Sequence, residues 1–236
     1  MEEILKTSAI IVAAGKGRRM GREYNKQYIL LGNKPIVAHT IEVFEDSSLI
    51  DEIILVVGKG EVDLVKQIII EKYNFKKVIS IVEGGERRQD SVYNGLRAID
   101  NNCNIVLIHD GARPFITNNI IEEGIEVANK TGACIAAVPV KDTIKVSNES
   151  MDVVNTPNRE TLWAVQTPQA FKYQLVMNAY EKLQNSNIEA TDDAMIIERL
   201  GYTVKIIKGS YENIKITTPE DLILGEGILK NRKVEG

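Results

Sequence analysis

Cysteine and histidine are scarce in this chain, with two of each in 236 residues. Cys103 and Cys134 stand far apart, with no CxxC pair and no neighbouring histidine. Neither a disulfide framework nor a zinc site therefore has support, and both cysteines read as reduced core residues. No His-rich or Cys-rich set competes for a transition metal, and no Ser/His/Asp set can be assembled for nucleophilic catalysis. An excess of positive charge is also lacking. The formal net charge is −4, whereas broad attraction to nucleic acid or to an anionic membrane needs a basic surface that displaces counterions from phosphates. Any anionic ligand must meet a local basic site instead. No apolar run approaches the roughly 20 residues that cross a bilayer. The start, MEEILKTSAIIVAAGKG, lacks the positive, apolar and small-residue order of a secretory signal, so a cytoplasmic location is expected. With no internal repeat or low-complexity linker, a single domain over residues 1–236 is the expectation. A content of 44% hydrophobic and 26% charged residues is enough to bury one substantial core.

Short apolar runs rich in Ile and Val recur at Ala9–Ala13, Ile53–Val57, Val78–Val82, Ile105–Ile108 and Cys134–Val138. Runs of this length and composition read as strands buried on both faces. Between them, helical spacing marks Pro35–Phe44, Val62–Tyr73, Ser91–Ile99 and Ile120–Lys130, with Pro35 suited to a first helical turn. The alternation predicts an α/β fold, a mostly parallel sheet with helices on both faces. In such a sheet ligands gather beyond the carboxyl ends of the strands. From Val140 to Val165 the pattern turns polar and alternating, with Asn-rich turns, and predicts a hairpin-like arm leaving the sheet. Helices are predicted again at Tyr173–Leu183, Thr191–Leu200 and after Pro219, with a strand at Thr203–Ile207.

The segments that follow the strands carry the chemistry. The first runs into Ala13-Ala14-Gly15-Lys16-Gly17-Arg18-Arg19-Met20, with Lys26-Gln27 soon after. Its two glycines let backbone N–H groups approach a phosphate chain, and its Arg and Lys supply the neutralising charge. It is neither a Walker loop nor a GxGxxG fingerprint, and by itself such a turn serves equally as a plain strand-to-helix connection. After the third strand, Gly84-Gly85-Glu86 and Ser91 form a second turn able to meet the edge of a nucleobase, or simply to start a helix. The fourth strand ends in His109-Asp110-Gly111-Ala112-Arg113. There Asp110 is placed to hold Mg²⁺ through one carboxylate, unless it only pairs with Arg113. His109 is left without a role. Lys141-Asp142-Thr143, Arg159, Gln166-Thr167-Pro168-Gln169, Thr191-Asp192-Asp193 and Asn213-Ile214-Lys215 read singly as loops, turns and a helix cap.

Taken in order, AAGKGRRMG, KQY, GGERRQDSV, HDGARPF, PVKDTIK, LWAVQTPQAF, TDDA and ENIKITTPEDL resemble the 2-C-methyl-D-erythritol 4-phosphate cytidylyltransferase family from residue 8 to about residue 229. The resemblance implies a Rossmann-like sheet with a projecting β-arm that joins two subunits. It also implies transfer of CMP from CTP to methylerythritol phosphate in the non-mevalonate route to isoprenoids. By motif match, Arg19 and Lys26 would stabilise the transition state at the α-phosphate, and Arg159 and Lys215 would position the substrate phosphate. Ala13, Ala14, Gly15, Gly85, Glu86 and Ser91 would hold the nucleotide, and Asp110 would bind Mg²⁺. Arg113, Thr143, Thr167 and Thr191 would contact methylerythritol phosphate, Arg113 and Thr143 serving the partner subunit's site. Val12 and Glu86 depart from the family's usual Pro and Asp. The alternatives are a ribitol 5-phosphate cytidylyltransferase with the same nucleotide site, and a nucleotide-binding domain without turnover.

Overall fold

The computed structural model describes residues 5–15, 28–184 and 189–235, the last three without their side chains. The first strand is β1 (Thr7–Val12), followed by a small hairpin of β2 (Leu30–Leu31) and β3 (Lys34–Pro35), then α1 (Ile36–Asp46) and β4 (Glu52–Val57). Next come α2 (Val62–Val65), which continues into a π-helical turn at Lys66–Glu71, β5 (Val78–Glu83), α3 (Arg88–Arg97), β6 (Ile105–Asp110), α4 (Asn118–Thr131) and β7 (Ala133–Pro139). The short β8 (Val146–Ser147) and β9 (Val153–Asn155), a 3-10 turn at Arg159–Thr161, β10 (Trp163–Lys172), α5 (Tyr173–Gln184), α6 (Asp193–Arg199), β11 (Lys205–Lys208) and α7 (Pro219–Glu235) complete the order.

Seven strands form the main sheet in the order β11-β7-β10-β6-β1-β4-β5. Those of β1, β4, β5 and β6 are all parallel, as are β7 and β11, while β10 runs antiparallel to both its neighbours. The expected mostly parallel, Rossmann-like sheet is present, with one strand reversed. The reversal follows from connectivity. The chain leaves β7 at its carboxyl end, makes an excursion and re-enters at the same edge, so the returning strand must run backwards.

The apolar runs become strands because they are covered on both sides. Ala9 and Ile11 of β1 join one core with Val37, Ile41 and Phe44 of α1 and Ile121 of α4. Ile10, between them, points to the second core with Val92 and Leu96 of α3, Tyr180 of α5 and Ile197 of α6. Each fully buried Ile, Leu or Phe contributes about 1.5–3 kcal/mol. The scaffold's stability therefore lies in these layers, leaving the polar groups at the strand ends free to serve binding. Both cysteines are buried, Cys103 among the α3 and α5 side chains and Cys134 beneath α4. A third, smaller cluster places Ile228 of α7 against Leu31, Ile36, Phe115 and Ile216.

Several boundaries differ from the sequence reading: the strand expected from Thr203 is Lys205–Lys208, the helix expected from Ile120 starts at Asn118, and Pro35 ends β3 just before α1 instead of sitting in its first turn. Three more have a visible cause. The helix expected from Ser91 begins at Arg88, because Asp90 accepts the Arg87 N–H at 3.1 Å and closes the turn earlier. The helix expected from Thr191 begins at Asp193, because the Asp192 carboxylate accepts the Met195 N–H at 3.0 Å. The arm ends at Trp163 rather than Val165, since Trp163, Ala164 and Val165 already pair with Pro139, Val138 and Ala137 of β7. Within the arm, β8 and β9 form a separate two-stranded ribbon, every residue of which is exposed.

Candidate functional site

The order of the parallel strands reverses between β1 and β6: β4 and β5 extend to one side of β1, and β6 lies on the other. This topological switch point opens a crevice beyond the strands' carboxyl ends. Register sets Val12 beside Asp110 at its floor. The Gly111 N–H donates to the Val12 carbonyl at 2.9 Å, and a Cβ at Gly111 would lie 3.2 Å from the Ala13 Cβ, so the two exit turns are pressed together. The turn after β5 closes on the same place. A Cβ at Gly84 would fall 2.4 Å from the Ala14 Cβ and 2.7 Å from the Ser91 Oγ, closer than any side chain tolerates. Glycine at 84 is thus what lets the Ala13–Gly15 and Gly84–Glu86 turns meet. Ser91 is buried, and its hydroxyl accepts the Gly85 N–H and donates to the Arg87 carbonyl, both at 3.1 Å. It shapes the second glycine turn from within, while Gly15, Gly85 and Glu86 face solvent.

Asp110, only 7% exposed, is ringed by cations. Lys215 Nζ lies 2.6 Å from Oδ2, Arg88 Nε 3.4 Å from Oδ1 and Arg113 Nε 3.8 Å from Oδ2. Burial disfavours the charged carboxylate, but Lys215 and Arg88 outweigh it and hold the acid well below the ordinary carboxylate range. The backbone around Asp110 is equally constrained. Its N–H donates to Thr167 Oγ1 at 3.0 Å, the Gly111 carbonyl accepts from Thr40 at 3.0 Å, and the Ala112 carbonyl accepts the Ile216 N–H at 2.9 Å. That last bond ties the segment carrying Lys215 to the Asp110 turn. Arg113 adds a second tie, its Nη1 donating to the Asn213 carbonyl at 2.7 Å, and Asn213 in turn donates to the Thr167 carbonyl at 2.9 Å.

His109, without a role on sequence grounds, fixes the turn from beneath. Burial pushes its imidazole down to about 4, so the ring is neutral near pH 7. Its Nε2 lies 3.1 Å from the Arg113 carbonyl, which can only accept, so Nε2 carries the proton.

Arg88 and Asp193 escaped the sequence reading. Arg88 Nη1 and Nη2 meet the two carboxylate oxygens of Asp193 at 2.9 and 2.8 Å, and Asp193 is fully buried. The partners stand 105 positions apart, and each has a commonplace local reading at a helix start. Only the pairing of α3 with α6 across one core brings them together.

Of the residues singled out from sequence, the structure brings Ala13, Ala14, Gly85, Ser91, Asp110, Arg113, Thr167 and Lys215 to the adjoining turns beyond β1, β5 and β6. Arg113 is a side chain of this chain's own cluster, 12% exposed. Thr191 is exposed beside the start of α6, its hydroxyl 3.6 Å from Met195 Sδ. Thr143 and Arg159 lie on the arm, both exposed, with Arg159 Nη1 donating to the Lys141 carbonyl at 2.9 Å. Arg19 and Lys26 lie outside the described residues.

Comparison with known proteins yields a consistent set. The family model described as IspD: 2-C-methyl-D-erythritol 4-phosphate cytidylyltransferase matches residues 7–231. A 2-C-methyl-D-erythritol 4-phosphate cytidylyltransferase of Alkaliphilus oremlandii is 67% identical over 233 residues, covering 99% of each chain. One of Clostridioides difficile is 54% identical, covering 96% of this chain and 94% of its own. Among solved structures, the 4-diphosphocytidyl-2C-methyl-D-erythritol synthase of Anaerococcus prevotii superposes with a TM-score of 0.85 at 38% identity, covering 96% of each chain.

Proposed function

This chain belongs to the 2-C-methyl-D-erythritol 4-phosphate cytidylyltransferase family, and on that premise we propose that it transfers CMP from CTP to the phosphate of 2-C-methyl-D-erythritol 4-phosphate, releasing pyrophosphate. The observation that carries the reading is the Asp110 cluster, a buried carboxylate amid Lys215, Arg88 and Arg113 at the switch point. A phosphate dianion must approach a polyanionic triphosphate there, so the main task is to offset repulsion and hold an in-line geometry. No protein nucleophile is needed, and a substrate phosphate already ionised near neutral pH needs no general base.

In this reading Ala13, Ala14, Gly15, Gly85, Glu86 and Ser91 hold the nucleotide, and the contact of Gly84 with Ala14 keeps their two turns in register. Lys215 and Arg159 position the attacking phosphate, Arg19 and Lys26 stabilise the charge at the α-phosphate, and Thr167, Thr191 and Arg113 contact the polyol phosphate. Asp110 would hold Mg²⁺. Its carboxylate is a hard oxygen donor, and no group of three or more His, Cys, Asp or Glu suited to a metal occurs among the described residues. With Asp110 as the protein's carboxylate, nucleotide phosphates and water would supply the other oxygens, as is usual for this ion. Bound there, Mg²⁺ supplies charge neutralisation for the triphosphate.

The arm supports a homodimer. Ile144, Val146, Met151, Val153 and Val154 on it are exposed, and an isolated two-stranded ribbon is marginal in water unless another surface covers it. Thr143 sits on the same arm, where it would reach the partner's site. A cytoplasmic location is consistent with the absence, among the described residues, of any helix long and apolar enough to cross a membrane.

The direct test is pyrophosphate release with CTP or ATP, paired with methylerythritol phosphate or ribitol 5-phosphate, in Mg²⁺. Turnover is expected with CTP and methylerythritol phosphate; an equal rate with ATP, or with ribitol 5-phosphate, refutes the respective assignment. A Thr143→Ala chain co-refolded with a Lys215→Ala chain should regain activity, since one site of each heterodimer then has both residues. Heterodimers that gain nothing would confine the site to one chain.

A further inference from the structure

We propose that Arg88 is a positioning residue for this reaction, aiming the Asp110 carboxylate by tethering it to the Thr191–Asp193 turn. The inference rests on the reading above that Asp110, Thr167 and Thr191 belong to the substrate site.

Arg88 uses its guanidinium in two directions. The two terminal nitrogens form a fork on Asp193, at 2.9 and 2.8 Å, and Nε is left facing Asp110 Oδ1 at 3.4 Å. A guanidinium is planar, so a fork that fixes two nitrogens also fixes the direction of the third. The anchor does not drift. Asp193 is fully buried, Tyr180 Oη donates to its Oδ1 at 2.5 Å, and its N–H and that of Ala194 donate to Gln169 Oε1 at 3.0 and 2.9 Å.

Those last bonds close a ring. From Gln169 the chain runs back through Pro168 to Thr167, whose Oγ1 accepts the Asp110 N–H at 3.0 Å. Asp110 is thus gripped twice from the α6 side, on its carboxylate through Arg88 and Asp193, and on its backbone through Thr167 and Gln169. Any displacement of the Thr191–Asp193 turn, where the polyol phosphate is read, reaches Asp110 by both routes. Lys215 differs in kind: it makes a single-point contact with Asp110 and its side chain is 37% exposed, so an incoming phosphate can draw it away. Arg88 stays fixed while Lys215 is free to exchange partners. A lysine at 88 would bring a point charge without the planar fork, so holding Asp193 would no longer fix the direction of a donor towards Asp110.

The rival explanation is that Arg88 only neutralises Asp193 and stabilises the fold. Arg88→Met alone does not separate the two, because it leaves a buried unpaired carboxylate. Asp193→Asn is no reference either, because an amide cannot accept both arms of the fork that aims Nε. The decisive comparison is Arg88→Lys with wild type, using the full-length enzyme with CTP, Mg²⁺ and methylerythritol phosphate: the ammonium keeps a positive charge beside Asp193 but has no planar fork. It should fold, with kcat lower by about ten-fold to a hundred-fold, the scale of an ångström-sized misplacement, and the KM for CTP nearly unchanged. A folded Arg88→Lys enzyme with wild-type kcat reduces Arg88 to a structural partner and overturns the inference. If that variant is unfolded at the assay temperature, Arg88→Met/Asp193→Asn, which buries no unpaired carboxylate at 193, is compared with wild type instead: folded with reduced kcat supports the proposal, and folded with wild-type kcat sinks it. Asp110→Asn run in parallel tells the two readings apart. Full turnover in that variant removes Asp110 from the site and the parent reading with it, whereas loss of turnover there alongside intact Arg88 variants rejects only the role of Arg88.

Discussion

Lys215→Ala should lower turnover by about 10²–10³-fold, the loss seen when one donor to a developing oxyanion is removed, and leave the fold in place. Lys215 touches the scaffold chiefly through one ion pair with Asp110, its side chain is 37% exposed, and Arg88 and Arg113 remain to face the carboxylate. An ion pair with that much solvent access is worth about 1 kcal/mol or less, and α7 and the small apolar cluster of Ile216 and Phe115 are untouched. Pyrophosphate release measured beside thermal melting separates the effects. A folded variant with near-normal turnover would remove Lys215 from the transfer step.

Asp110→Asn should abolish most turnover and also weaken the fold, which distinguishes it from the lysine variant. The amide cannot balance three cations, so Lys215, Arg88 and Arg113 would be left facing one another around a side chain that is only 10% exposed. Breaking a buried charge set in this way costs on the order of 3 kcal/mol. The cost has a definite pH dependence. Folding holds the Asp110 carboxyl below its ordinary value of 3.8, so as the pH falls through that value the unfolded chain takes up a proton that the folded chain refuses. The stabilisation is complete above about pH 4 and is lost as the pH falls further, towards the folded value. In melting experiments without divalent ions, the gap between wild type and Asp110→Asn should be constant near neutrality and narrow in acid. A gap that widens in acid would contradict the assignment.

Much of this architecture was legible because burial writes itself into composition. Strands covered on both faces need an apolar residue at every position, which is why β1, β4, β6 and β7 stand out as Ile- and Val-rich runs. β10 was missed for the opposite reason. Gln166, Thr167, Pro168 and Gln169 interrupt it with polar letters, and those letters are buried because they bind other chain segments: Gln166 the Ser210 carbonyl, Thr167 the Asp110 N–H, and Gln169 the start of α6. A strand that doubles as part of a site does not look like one. The site divides along the same line. Asp110, the glycine turns and Ser91 sit just past strand ends, where position alone marks them, and Asp192 could be read as a helix cap from its own neighbours. Asp193, next to it, could not, because its partners Arg88, Tyr180 and Gln169 come from three other elements.

The arm's attachment has a further consequence. Pro139 and Trp163 are register partners, and the Val140 N–H donates to the Leu162 carbonyl at 3.0 Å. The chain therefore departs and returns about one strand spacing, 4.7–4.9 Å, apart. Geometrically the excursion is an ornament hung on a hairpin: a tight turn could replace everything between Val140 and Leu162 without moving any strand of the main sheet. Thr143 and Arg159 apart, its length and wording are accordingly answerable only to whatever lies opposite. Changes elsewhere along it would redraw how subunits meet while the strand-end turns of the crevice stay as they are.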